Sequence, residues 1–148
     1  MKNQIFEVDI KGLRQLQAGK PKWVIIRELL QNAMDEDITE CHIDINYVRG
    51  KMKLCITDDS PEGFRDLADM YTLFKDTHKR KDVKKRGRFN FGEKQVLVLA
   101  TYAKITSTKG GYEFDMVKGI KKKLRRKRAK GSAVYIEVKM SEKEFNNV

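Results

Sequence analysis

Cysteine is scarce in this chain: Cys41 and Cys55 are the only two in 148 residues. They fall on two stretches predicted to be paired strands, which would allow a disulfide. A reducing compartment disfavours one, and two buried free thiols are the simpler expectation. A metal centre would need further ligands at close spacing, and no such Cys/His cluster is visible. Apolar runs are short. None approaches the ~18 residues that span a bilayer, so no membrane association is expected. The opening stretch "MKNQIFEVDIKG" lacks the apolar core of a signal peptide, so the expected location is cytoplasmic. No Gly-x4-Gly-Lys-Ser/Thr occurs, which excludes a P-loop. Proline is as rare as cysteine, with two residues, and neither a linker nor an internal repeat divides the sequence. Residues 1–148 therefore read as a single domain with one core.

Basic charge is abundant and concentrated. The net charge is +11. "KRKDVKKR" (79–86) contributes +5 and "KKKLRRKRAK" (121–130) contributes +8, which leaves the remainder at −2. A near-neutral domain with two basic segments suits a polyanionic partner: nucleotide phosphates, nucleic acid or an acidic protein. The alternative is two solvated loops. The run at 121–130 contains no aromatic residue, so any nucleic-acid contact through it is expected to be to phosphate and sequence-tolerant.

Hydrophobic periodicity predicts a short helix over 9–18 and an amphipathic helix over about 22–38. "CHIDINYV" (41–48) alternates like a strand, with Cys41, Ile43, Ile45 and Tyr47 on one face. A turn at 49–51 leads to "MKLCIT", and "DDSPEG" breaks the pattern. A helix is predicted at 64–74, a basic loop next, and a turn-to-helix unit over 88–103. A hairpin turns at Gly110-Gly111. The second basic run reads as a loop at 119–130, and "GSAVYIEVKM" as a closing strand. Helices interspersed with antiparallel hairpins predict an α+β fold: a two-layer sandwich with a mixed, mostly antiparallel sheet and helices on one face.

Four stretches carry chemistry. In "RELLQNAMDE", Glu28, Asn32 and Asp35 share one helical stripe. An Asn oxygen can be a Mg²⁺ ligand without adding charge near a triphosphate, and a Glu one turn away can deprotonate an attacking water. "ITDDSPEGF" runs from a strand into Asp58 and Asp59, then Gly63 and Phe64. A carboxylate there can accept from an adenine amino group, and a glycine lets backbone approach a flat base. It can equally be a turn that caps the next helix. "RGRFNFGEK" places Gly87, Asn90 and Gly92 before a helix start, where N–H groups favour phosphate, and adds Lys94. Gly131-Ser132 opens the last strand.

The order and spacing of these stretches resemble the GHKL ATPases, the family of DNA gyrase, heat-shock chaperones, histidine kinases and mismatch-repair ATPases. "ELLQNAMDE" resembles the E-L-x-x-N-[SA]-x-D-A motif, "TDDSPEGF" the D-N-G-x-G-F motif, "GRFNFGEK" the G-x-x-G-x-G-x-K motif, and Gly131-Ser132 the terminal G-T. The resemblance implies ATP and Mg²⁺ as ligands. Glu28 then matches the general base, Asn32 the metal ligand, and Asp35 the acid completing the first motif. Asp58 matches the adenine-binding carboxylate, with Gly63 and Phe64 under the base. Gly87, Asn90, Gly92 and Lys94 form the phosphate loop, with Lys94 facing the transferred phosphate. Residues 76–87 become a basic lid. Ser132 replaces a Thr beside the adenine-binding Asp, and Asn90 replaces a Gly. "DDSPEGF" is one residue longer than its motif. Counting back from Gly63 therefore selects Asp59, whereas the strand register selects Asp58.

The implied function is slow, Mg²⁺-dependent ATP hydrolysis assisted by a partner or a homodimer. The alternative is a basic nucleic-acid-binding module with a vestigial nucleotide pocket. A histidine kinase is disfavoured, because no dimerisation helix bearing an acceptor His precedes the first motif. His42 lies in a strand pattern and His78 in the lid.

Overall fold

The computed structural model describes residues 9–19, 21–34, 37–61 and 97–148. In chain order they form α1 (Ile10–Ala18), α2 (Trp23–Met34), β1 (Cys41–Val48), β2 (Lys51–Asp58), β3 (Tyr102–Ser107), β4 (Gly110–Asp115), β5 (Ile120–Leu124), β6 (Ala133–Lys139) and α3 (Glu142–Asn146). The predicted helix at 64–74, the lid at 76–87 and the phosphate loop lie outside the described residues. The six strands make one sheet in the order β1-β2-β6-β3-β4-β5, with every neighbouring pair antiparallel. No described helix is long and apolar enough to cross a membrane.

One face of the sheet holds the core. Along β2 burial alternates strictly, with Met52, Leu54 and Ile56 inward. Ala103 and Ile105 of β3 and Ile136 and Val138 of β6 join them. Ile25, Leu29 and Ala33, spaced four apart, put one stripe of α2 into this cluster. Burying an isoleucine or leucine side chain stabilises by about 1.5–3 kcal/mol, so Ile25 and Leu29 above all fix α2 on the sheet. Its other flank stays open, with Trp23 and Met34 exposed. α2 is thus less enclosed than its apolar content suggests.

The β1–β2 connection is the predicted turn. Arg49 and Gly50 both have positive φ, at 51° and 81°, the geometry that matches the twist of a two-residue hairpin. The second hairpin differs from expectation. Its turn is Thr108-Lys109, and Gly110 and Gly111 already belong to β4. Gly111 is required by packing, because a Cβ there would lie 2.0 Å from the Ile105 carbonyl oxygen. Gly111→Ala is expected to destabilise the domain by about 2 kcal/mol, lowering Tm in a thermal melt by roughly 6 °C.

Three further departures have physical causes. Of the stretch read as helix through residue 103, the described part leaves the helix after Leu97, and Tyr102 and Ala103 open β3. The basic run read as a loop over 119–130 contains β5, whose side chains are almost all exposed, so no hydrophobic alternation marks it. Pairing with β4 sets Lys122 opposite Glu113, an arrangement that favours the strand. The chain also continues past β6 into α3. Ser141 and Glu144 close a capping box there, and Phe145 stacks on Tyr47 at 5.1 Å. The S-x-x-E at 141–144 is the sequence mark of that helix.

Cys41 and Cys55 are both free. Their strands do pair, but Cys41 sits opposite Asp58 and Cys55 opposite Asp44. The two thiols therefore project from opposite faces of the sheet, which excludes a disulfide between them.

Candidate nucleotide site at the end of β2

β2 and β6 run antiparallel, which brings the end of one beside the start of the other. Asp58 closes β2 and Ser132 precedes β6. Asp58 shares the inward parity of Ile56 and is only 8% exposed. A carboxylate this enclosed needs hydrogen bonds, and the described residues supply three. Ser132 donates its Oγ–H to Asp58 Oδ2 at 2.8 Å. The Ser60 and Ser132 N–H groups donate to Oδ1 at 2.9 and 3.3 Å. Oδ2 keeps acceptor capacity beyond its bond to Ser132.

Backbone contacts lock the two segments. The Asp58 N–H donates to the Ser132 carbonyl at 2.9 Å, and the Gly131 N–H to the Ser60 carbonyl at 3.0 Å. Gly131 has φ of 72°, and a Cβ there would lie 1.8 Å from the Asp58 carbonyl oxygen. Only glycine meets both demands. Sequence reasoning singled out Gly131 merely as the opening of a motif. It did not find the Ser60 N–H, which occupies the position of a motif glycine.

Asp59 is spent elsewhere. It accepts the Thr39 and Glu40 N–H groups at 2.8 and 3.0 Å and also the Thr39 hydroxyl, so it pins the segment entering β1. These bonds, the Thr39 hydroxyl foremost, hold its pKa down at about 2. The contribution is complete above the ordinary value of 3.8 and is lost as pH falls through about 2. Asp59→Asn is expected to lower Tm at pH 5. Its gap from the parent should close as melts are taken down to pH 2.

Cys41 lies beside the same site. Burial chiefly, and then the charge of Asp58, push its thiol upward. It is therefore a poor nucleophile, despite a position that the sequence alone did not flag.

Glu28 and Asn32 are one turn apart on α2, both partly exposed, as their stripe predicts. Glu28 Oε1 is 3.0 Å from Arg27 Nη2. α2 packs its Ile25, Leu29 and Ala33 stripe on the sheet face that carries Asp58. The Asn32 carboxamide is a neutral oxygen donor of the kind Mg²⁺ accepts alongside phosphate oxygens and water, so its chemistry fits that ion. Asp35, Gly63, Phe64, Gly87, Asn90, Gly92 and Lys94 lie outside the described residues.

A cleft of about 940 Å³ lies on the opposite, outer face of the sheet. None of Glu28, Asn32, Asp58 and Ser132 lines it, so it is separate from the Asp58 site.

A comparison with curated proteins found no match. Among solved structures, one described as the N-terminal domain of a DNA repair protein aligns with a TM-score of 0.51 at 18% identity. The alignment covers 87% of this chain and 41% of that one. At that identity the likeness is one of fold, and the chain spans under half of its neighbour's length. The profile of the family described as histidine kinase-, DNA gyrase B- and HSP90-like ATPase matches residues 20–148. With nearly the whole chain inside that match, the protein belongs to this GHKL-type ATPase family.

Proposed function

We propose that the domain binds ATP with its adenine on Asp58 and hydrolyses it slowly with Mg²⁺. The observation that carries this reading is the enclosed Asp58 carboxylate, oriented by Ser132 and two backbone N–H groups. An acceptor held that rigidly suits the exocyclic amino group of adenine. Asp59 has its carboxylate committed to Thr39 and Glu40, which favours Asp58 as the adenine contact.

The remaining roles follow the motif positions. Asn32 would hold Mg²⁺, which offsets phosphate charge when bound. Glu28 orients and deprotonates the attacking water. By motif position Gly63 and Phe64 are assigned to the base, and Asp35 to completing the first motif. Lys94 and the N–H groups of the 87–92 loop stabilise charge on the transferred phosphate. Phosphoryl transfer to water needs mainly positioning and electrostatics, and hydrolysis by the domain alone is slow until a partner or a second copy completes the site.

Calorimetric titration with a non-hydrolysable ATP analogue tests binding. Saturable binding that tightens when Mg²⁺ is added is expected. A folded sample that gives no heat at millimolar analogue would refute the proposal.

A further inference from the structure

The fold creates the outer-face cleft from residues far apart in sequence. β6 lies between β2 and β3, whereas β5 is at the sheet edge. The β5–β6 connection must therefore cross β4 and β3. It carries most of the second basic run, and the Arg128 N–H anchors it by donating to the Ser107 carbonyl at 2.9 Å. Arg126, Lys127, Arg128 and Lys130 then line one wall of the cleft, and Lys104 of β3 adds a fifth cation. Among the described residues, Glu137 is the one carboxylate in the lining. It is already engaged, accepting the Tyr135 hydroxyl at 3.1 Å and lying 3.9 Å from Lys51 Nζ.

Two aromatic rings share the cleft. Tyr102 of β3 and Tyr135 of β6 face each other edge-on, with centroids 6.0 Å apart. The basic run has no aromatic of its own, so the sheet supplies what the sequence withheld. Arg128 adds a further pointer. Its Nε is buried and has no hydrogen-bond acceptor among the described residues, so no internal carboxylate neutralises this guanidinium through that atom.

We infer that this cleft binds a single-stranded nucleic acid, with its phosphates on the five cations and a base against the tyrosine pair. A single strand exposes base faces that a duplex hides. An acidic polypeptide would match the charge but leave the rings without a stacking partner. The inference does not depend on the Asp58 site, which lies on the other face of the sheet.

The test is fluorescence anisotropy with a labelled 20-nucleotide oligo-dT, titrated across salt. Five phosphate contacts give a slope of log affinity against log salt near −3.5, at about −0.7 per contact. The double variant Lys104→Ala/Arg126→Ala should bind at least tenfold more weakly, with a slope shallower by about 1.4. Tyr135→Ala should cost about tenfold, and Tyr135→Phe, which keeps the ring, should bind like the parent. Thermal melts confirm that each variant is folded. Bound oligo-dT should also slow alkylation of Cys55, which lines the cleft, and leave Cys41 on the opposite face unchanged, as read by mass spectrometry. The proposal fails if oligo-dT does not bind at low salt. It also fails if neither the double variant nor Tyr135→Ala weakens binding, if Cys55 is not protected, or if poly-glutamate or duplex DNA binds as tightly.

Discussion

Asp58→Asn is expected to weaken ATP binding by about a hundredfold while leaving the domain folded. Oδ1 accepts the Ser60 and Ser132 N–H groups, so an asparagine must place its carbonyl oxygen there. Its NH₂ then replaces Oδ2 and points at the Ser132 hydroxyl and, in the proposed complex, at the adenine amino group. Two donors face each other where an acceptor is required. Losing a charge-assisted hydrogen bond and leaving a donor unpaired together cost about 3 kcal/mol, which is close to a factor of one hundred in Kd. The backbone bonds from Asp58 to Ser132 and from Gly131 to Ser60 are untouched, so the melt should move little. Calorimetry on the folded variant checks this, and parent-like affinity would remove Asp58 from the site.

Glu28→Gln is expected to act on the other kinetic constant. The side chain keeps its size and loses its basicity. If Glu28 takes the proton of the attacking water, turnover falls about a hundredfold or more, while the Kd for ATP stays within about threefold. Such a split separates a residue that acts in the transition state from one that merely binds. Single-turnover phosphate release measured beside equilibrium binding reads both quantities. Unchanged turnover would exclude Glu28 as the base. Loss of binding would make it a ligand-holding residue instead. The Arg27 contact, made at an exposed position, is worth too little to disturb the comparison.

Sequence periodicity located the parts of the fold that obey simple burial rules. β2 was legible because its inward residues alternate without exception, and α2 because Ile25, Leu29 and Ala33 recur every four positions. The same register placed Asp58 at the strand end, where it meets Ser132. β5 was not legible: "IKKKL" looks solvated, and what makes it a strand is pairing with β4, a long-range property. β1 shows the reverse error. Its alternation correctly signalled a strand, yet Ile43 and Ile45 remain 45% and 37% exposed, because an edge strand can alternate without being enclosed. The 110–111 glycines suggested a turn, but Gly111 is small for the sake of the Ile105 carbonyl. The outer-face cleft was hidden most completely. Tyr102 and Tyr135 lie outside both basic runs and reach the cations only through strand order.

Competition between ATP and inosine triphosphate decides whether Asp58 reads the adenine amino group. The two share ribose, phosphates and magnesium chemistry, and differ in that inosine carries a carbonyl and a ring N1–H where adenine carries an amino group and an unprotonated N1. An enclosed carboxylate that reads the amino group must reject the carbonyl, since two acceptors would then face each other. The inosine nucleotide is expected to bind at least a hundredfold more weakly than ATP, and Asp58→Asn to erase most of that preference. Equal affinity for the two nucleotides in the unaltered protein would contradict it.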